Sequence, residues 1–399
     1  DPNTWSKDGT VALSGYWPSP TGKHLAYTVA DGGTDWRIAR VHDLSRDSET
    51  ADELRWLKFT GLSWNRAGTG FYYSRYPEPA KGEKFQSTNL NKAIYFHKLG
   101  ESQEQDQLIF SNPDYPERGF WSEVTDDGAY LVITSSIGTD DRYEVFVQDI
   151  QTPNQPPQQL VAGFNYDYTL IGNIGSRLLF RSNEEAPKGK VIAFDLAHTQ
   201  SGLLNTTDAG TKIEPLLVVR ETANNLQSGS LVNNTLVLHY LQDAASRVQL
   251  VDLAISTESD NTLNAERTSR LELPGIGSVS GFPNSQDSNT TFYTYSSINQ
   301  PPTVYELNVA SGESKLVKAP NVAFDPDDYL VKQEFFSSKD GTRVPLFIAA
   351  KKTTELKNAA TLLYGYGGFN VSLKPGFSVT QLSWMELGGV YVQANLRGG

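Results

Sequence analysis

The 399-residue sequence has no cysteine, a single methionine, five histidines and no apolar run approaching eighteen residues. A chain without cysteine has no disulfide framework, no thiolate zinc site and no thiol nucleophile, and it tolerates either redox compartment. The lack of a long apolar run leaves no candidate membrane helix. Asp1 opens neither a charged nor an apolar leader region, and because no methionine stands there, a leader removed upstream remains compatible with the sequence. Positive charge is also scarce: 34 basic residues face 46 acidic ones, for a net charge of −12. That balance works against a nucleic-acid partner, because phosphate contacts need clustered Lys and Arg.

What is present is turn-forming and aromatic. Hydrophobic residues make up 38% of the chain and aromatics 11%, with 33 Gly and 20 Pro, which reads as a soluble, strand-rich protein. Six segments share one design, a turn and a strand rich in aromatic or aliphatic residues. They are "SPTGKHLAYTV" (19–29), "SWNRAGTGFYYSR" (63–75), "VTDDGAYLVITSS" (124–136), "IGNIGSRLLFRSN" (171–183), "LVNNTLVLHYL" (231–241) and "NSQDSNTTFYTYS" (284–296). Each is followed by an alternating strand: "RIARVHDL" (37–44), "KAIYFHKL" (92–99), "YEVFVQDI" (143–150), "KVIAFDL" (190–196), "RVQLVDL" (247–253) and "TVYELNV" (303–309). The copies end at Leu44, Leu99, Ile150, Leu196, Leu253 and Val309, spaced by 55, 51, 46, 57 and 56 residues. That spacing suits a four-stranded propeller blade with long loops, near the roughly 40–50 residues of named propeller repeats. A solenoid or paired β-sandwiches would also give many short strands. The alternation predicts that each strand turns one face to a neighbouring blade. With little chain before the first copy, the propeller is expected to be incomplete at its N-terminal end.

After residue 318 the grammar changes, and the domains are read as 1–318 and 319–399. "YLVKQEFF" (329–336) and "RVPLFIAAK" (343–351) predict a hairpin with Asp340-Gly341 at its corner. The strand "ATLLYG" (360–365), a glycine-rich corner, the helix "SVTQLSWMELG" (378–388) with Ser378 as N-cap, and the strand "GVYVQANL" (389–396) follow. The order β-β-β-α-β opens an α/β domain with a parallel pair, and it matches the entry to an α/β-hydrolase, whose third-strand loop supplies an oxyanion-hole donor. In that loop Gly365, Gly367 and Gly368 would let the backbone approach a substrate carbonyl, and Tyr366 can offer its hydroxyl to developing negative charge. The same residues also fit a plain strand-to-helix turn with aromatics packed beneath it.

The stretches "LLYGYGGFNVSLKPGFSVTQL" (362–382) and "ANLRGG" (394–399) closely resemble the prolyl oligopeptidase (prolyl endopeptidase) family of serine peptidases. "DPNTWSKDGTVALSGY" (1–16), "STNLNKAIYFHKLG" (87–100) and "SSKDGTRVPLF" (337–347) extend the resemblance along the whole chain. It implies a mainly β fold, a seven-bladed β-propeller with about six blades recognisable, followed by the first part of an α/β-hydrolase domain. It further implies cleavage of short peptides on the C-terminal side of proline, with the propeller gating access. By motif, Tyr366 would be the oxyanion-hole tyrosine, while Phe369 and Phe59 (in "RWLKFTGLSW") would line the substrate pocket. Phe59 also fits ordinary blade core. The resemblance carries no cofactor, no metal, no membrane, short proline-containing peptides as partners, a monomer, and a cytoplasmic location, or a periplasmic or secreted one if a leader is removed.

One departure matters most. The family's serine, aspartate and histidine are expected beyond residues 397–399, and no Gly-x-Ser-x-Gly elbow occurs in the sequence. His24, His42, His97, His198 and His239 all fall in the repeats, and none is a credible general base. The 399 residues are therefore expected to be an inactive internal piece, lacking also the segment the family places before them. Glu184 and Glu185 stand where relatives can carry a basic contact residue. The alternatives are a non-catalytic propeller scaffold and a related dipeptidyl or acylaminoacyl peptidase. The acidic stretches "DPDD" (325–328), "TDDRYE" (139–144) and "ESQEQDQ" (101–107) read as solvated turns rather than calcium loops. Sequons at Asn205, Asn233, Asn289 and Asn370 carry meaning only in a secreted eukaryotic protein.

Overall fold

The computed structural model describes residues 1–83, 86–152, 155–198, 213–255 and 263–398. The sequon at Asn205 lies outside them. Among the described residues the strands form seven four-stranded sheets. In chain order they are β1 (Val11–Pro18), β2 (His24–Asp31), β3 (Arg37–Asp43) and β4 (Ser48–Leu57); then β5 (Leu62–Trp64), β6 (Gly70–Arg75), β7 (Ala93–Lys98) and β8 (Gln107–Phe110). The third sheet holds β9 (Arg118–Val124), β10 (Tyr130–Ile137), β11 (Glu144–Asp149) and β12 (Gln158–Val161), and the fourth β13 (Tyr168–Ile174), β14 (Arg177–Ser182), β15 (Lys190–Asp195) and β16 (Leu216–Val219). The fifth holds β17 (Asn225–Val232), β18 (Thr235–Gln242), β19 (Ala245–Ile255) and β20 (Leu263–Leu271), and the sixth β21 (Ser278–Gly281), β22 (Thr290–Ser297), β23 (Gln300–Asn308) and β24 (Glu313–Lys318). In all six the strands lie side by side in chain order, the up-and-down arrangement of propeller blades. The mainly β propeller architecture read from the repeats is what the chain adopts.

The six repeated segment pairs are the second and third strands of the six sheets. The polar flanking strands carried no repeat signal. The first copy has its own leading strand, β1, so the first sheet has all four strands. The expectation of one buried face per strand fails for the second strands: all residues of β18 from Thr235 to Leu241 are buried, as are most of β6, β10 and β14. A strand covered on both faces has no reason to alternate. The outer strands β8 and β24, by contrast, are largely exposed.

The chain divides into two compact units, one of residues 1–184 with 193–216 and the other of 185–192 with 217–399; the division passes through the fourth sheet. In the first unit, Leu54 and Leu57 of β4 pack with Phe71 and Tyr73 of β6 in one core, and Tyr72 and Ile94 pack with Phe120, Leu131 and Ile133 in another. In the second, Val237 and Leu250 pack against Tyr293 and Tyr295 across the fifth and sixth sheets.

The seventh sheet belongs to the second unit and breaks the pattern. Its strands β25 (Tyr329–Ser337), β26 (Arg343–Lys351), β27 (Thr361–Tyr366) and β28 (Val390–Asn395) are ordered β25-β26-β28-β27. The hairpin β25–β26 is antiparallel with Gly341 in a left-handed turn, and β27–β28 is parallel, joined through helix α1 (Val379–Glu386). This is the predicted α/β opening. Met385, the only methionine, is fully buried with Phe347, Ala349 and Tyr391, worth about 2 kcal/mol on transfer grounds. Ser378 sits at the predicted N-cap position in an extended conformation but makes no side-chain capping bond. Of the helix's apolar residues, Met385, Leu382 and Trp384 pack into the core with the sheet, while Val379 and Leu387 are exposed.

Candidate functional site

The glycine corner grows from the end of β27, a strand exposed along its length, with Leu363 and Tyr364 among its uncovered side chains. Tyr366 is its last residue, paired in register with Asn395 of β28. The Tyr366 ring is 40% exposed, and its hydroxyl makes no hydrogen bond among the described residues. Two of the glycines are explained by close packing of chain on chain. A Cβ on Gly367 would meet the Arg397 carbonyl oxygen at 2.5 Å and Leu396 Cβ at 2.9 Å, and one on Gly365 would meet Leu396 Cδ1 at 3.2 Å. The left-handed backbone falls instead on Phe369 (φ 53°) and Asn370 (φ 57°). Phe369 is thrust outward, 93% exposed.

Beyond Phe369 the segment to α1 has no regular structure, yet side chains pin it at every few residues. The Asn370 N–H donates to the Gly398 carbonyl at 3.0 Å. Gln393 and Asn395, on one face of β28, both donate side-chain N–H groups to the Leu373 carbonyl, at 3.2 and 2.5 Å. Ser278 Oγ donates to the Pro375 carbonyl at 2.8 Å, and the Phe377 N–H donates to Ser296 Oγ at 3.2 Å. Phe377 also stacks on Phe324, 5.8 Å apart. The amide pair and the serines were not singled out from sequence. The signal in the strand was two amides spaced i, i+2, ordinary until a loop carbonyl is placed over them. A cavity of about 220 Å³ lies beside this segment, lined by Ser372, Leu373, Asn395, Leu396, Arg397 and Arg343 among others. The Asn395 Oδ1 is buried there with no hydrogen-bond partner among the described residues.

Phe59 lies in the first unit, in the short connection between β4 and β5. It is not blade core: its ring is 63% exposed and its backbone left-handed (φ 48°). Nearby, β4 and β7 are braced by buried charge. His97 Nδ1 lies 2.7 Å from Asp106 Oδ1, and its Nε2 lies 3.0 Å from Asp52 Oδ1. Tyr73 donates to the other Asp106 oxygen at 2.6 Å. Burial disfavours the charged imidazole, but the hydrogen bonds to Asp106 and then Asp52 outweigh it and lift the His97 pKa to about 9. Burial likewise opposes the Asp52 charge, yet hydrogen bonds from His97, Thr50 and the Gly100 N–H hold it down at about 2. An imidazolium with both nitrogens committed has no proton to take, so His97 is a brace rather than a base. Asp106, read from sequence as part of a solvated turn, is instead a buried member of this cluster.

Of the other described histidines, His24 stacks on the Trp64 ring at 6.2 Å, with its buried Nδ1 unpartnered among the described residues. His239 is buried against Ser246 Oγ at 2.8 Å, and His42 is held between Asp47 and Glu49 on the surface. The sequon residues Asn233 and Asn289 bond each other at 2.8 Å. Among the described residues no group of three or more His, Asp or Glu side chains is placed to hold a metal ion. No helix among them is long and apolar enough to cross a membrane.

Six four-stranded propeller sheets thus lead into an α/β sheet, with a tyrosine and a glycine corner at the end of β27. Residues 1–320 match the family model of the prolyl oligopeptidase N-terminal β-propeller domain, and the chain belongs to that family. It is 32% identical over 401 residues to the prolyl endopeptidase of Elizabethkingia meningoseptica, covering all of this chain and 53% of that protein. To the prolyl endopeptidase of Dictyostelium discoideum it is 29% identical, covering 57% of it. Among solved structures, a prolyl endopeptidase from a study of inter-domain dynamics in catalysis and specificity superposes with a TM-score of 0.81 at 36% identity, all of this chain matching 54% of that one. Prolyl oligopeptidase B from Galerina marginata, bound to a 25-residue macrocyclization substrate, gives a TM-score of 0.84 at 26% identity over 55% of its chain. The chain thus spans about half the length of the relatives it matches.

Proposed function

We propose that the protein carrying this chain is a serine endopeptidase that hydrolyses short peptides on the C-terminal side of proline. The observation that carries this reading is Tyr366: its free hydroxyl stands at the C-terminal end of β27, beside a backbone corner fixed by Gly367 packing on Arg397 and Leu396. The family's relatives named as prolyl endopeptidases support the specificity.

In this reaction a serine Oγ attacks the carbonyl carbon that follows the proline ring while a histidine takes the hydroxyl proton. The carbonyl oxygen becomes an oxyanion, toward which the Tyr366 hydroxyl donates. Collapse of the tetrahedral species breaks the C–N bond, the histidine returns its proton to the leaving amine, and water then releases the acyl group by the same route. Phe369 and Phe59, each exposed on its own unit, are the apolar contacts this reading offers a peptide. The serine, aspartate and histidine are not among these 399 residues, so the chain alone is expected to show no turnover of a proline-containing reporter peptide. Monomeric assembly and a cytoplasmic site of action belong to the same proposal.

The test is Tyr366→Phe in the full protein. Loss of one oxyanion donor lowers kcat roughly 100- to 1,000-fold with KM little changed. An unchanged kcat on a proline peptide removes Tyr366 from the oxyanion role.

A further inference from the structure

Lys92 immediately precedes β7 and is buried, 3% exposed. Its Nζ donates to the Phe59 carbonyl oxygen at 2.6 Å and lies 5.7 Å from the Tyr76 ring centroid; no carboxylate pairs with it among the described residues. Burial holds this ammonium down to about 7. A buried cation without a counter-ion is costly, and an apolar side chain of similar volume would suit the interior at least as well. What lysine adds there is one donor, aimed at one carbonyl.

That carbonyl belongs to strained backbone. Trp56 (φ 66°) and Phe59 (φ 48°) are both left-handed, a conformation bulky L-residues avoid. Their neighbours are fixed as well. The Tyr76 N–H donates to the Trp56 carbonyl at 3.0 Å, and Trp36 meets both the Trp56 and Tyr76 rings edge-on. Lys58 Nζ sits 4.1 Å over the Trp36 ring and donates to Asn89 Oδ1 at 3.2 Å. Thr60 Oγ1 accepts the Ser74 N–H at 3.1 Å. Everything around Phe59 is tied down, yet its ring contributes little to the core. Strain maintained around an exposed side chain is a feature of sites where that side chain must be presented.

We propose that Lys92 is a positioning residue: it clamps the Phe59 carbonyl and holds the Phe59 ring outward as a rigid apolar contact for a bound peptide. The contact with peptide rests on the endopeptidase reading above; the clamp itself does not.

Chymotrypsin, which cuts after phenylalanine where the backbone can open, reads the clamp in the full protein. Lys92→Met is expected to be cut at the Phe59–Thr60 bond at least about tenfold faster than wild type, with a Tm equal or higher, since the buried charge is gone. Lys92→Leu serves if the methionine variant does not fold. A folded variant cut at the wild-type rate overturns the clamp, and faster cutting together with a lowered Tm makes Lys92 merely structural. On a proline-containing peptide, Lys92→Met should raise KM several-fold with kcat within about twofold, and Phe59→Ala should add nothing further in the double variant. Faster cutting with an unchanged KM overturns the peptide contact. If the wild-type protein does not cleave after proline, the endopeptidase reading fails, while the chymotrypsin result still decides the clamp.

Discussion

Phe59 and Phe369 are both exposed phenylalanines on left-handed backbone, and they are held in opposite ways. Phe369 follows glycines whose missing side chains let the corner pack onto Leu396 and Arg397, and a backbone bond from Asn370 to Gly398 closes it. Phe59 has only Gly61 nearby, and its backbone is fixed from below by buried side chains. The difference teaches where each is fragile. A backbone-packed corner fails when atoms are added; a side-chain-clamped one fails when a donor is removed.

Within this comparison the largest effect should come from adding one methyl group. Gly367→Ala places its Cβ against a carbonyl oxygen and a Cβ that cannot swing away, so the corner must shift. Since a displacement of about 1 Å in a site can cost about 100-fold in rate, kcat/KM in the full protein should fall by about that factor. The same substitution at Gly368, whose nearest neighbour would be 3.9 Å away, should cost far less; equal losses would break the packing account.

A smaller effect separates the support under Phe59 from that under Phe369. Asp52 lies on β4, which leads to Phe59, and His97 on β7, which follows Lys92, so their bond ties together the two strands that flank the clamp. The folded His97 pKa of about 9 exceeds the unfolded value near 6.5, so its contribution is complete below about pH 6.5 and is lost as pH rises through 9. The Asp52 contribution is complete above its unfolded value of 3.8 and is lost as pH falls through about 2. Over the same range Lys92, whose folded value of about 7 lies below its unfolded 10.5, gains what His97 loses, so the test is a difference: between about pH 7 and 9.5 the Tm of His97→Gln should rise by a few degrees relative to wild type, while lying below it throughout. A Tm difference between wild type and His97→Gln that stays constant across this range would mean that the imidazole is not held charged.

The smallest effect is at Phe59 itself. Asparagine tolerates left-handed backbone, so Phe59→Asn should leave stability unchanged or raise it by up to about 1 kcal/mol, while KM for peptide rises several-fold. A clear loss of Tm would show that the exposed ring contributes to folding.

The legible parts of the fold were those with a local cause. Turns such as Thr125-Asp-Asp-Gly128 and Val232-Asn-Asn-Thr235 set off the second strand of their sheets, and aromatics within it filled both faces. The strands flanking each repeated pair, such as β1 or the exposed β24, carry mixed polar sequences whose strand character comes from the neighbour they bond. At the corner, Tyr366 and the glycines were legible because a glycine cluster after an apolar strand is itself a signal. Lys92, Gln393 and Asn395 were not, for a lysine or an amide at the end of a strand reads as solvated until something covers it.

The sequence by itself determined the repeat of paired strands, the change to a β-β-β-α-β order after residue 318 and the identity of the glycine corner, because turn chemistry, hydrophobic patterning and glycine placement act over a few neighbouring residues. Tertiary structure alone decided that Asp106 is buried against His97, that Phe59 stands in solvent on strained backbone, and that a lysine 33 residues away holds it. Those outcomes depend on which charges lose water and which carbonyls find donors, and that is settled only when distant strands are packed together.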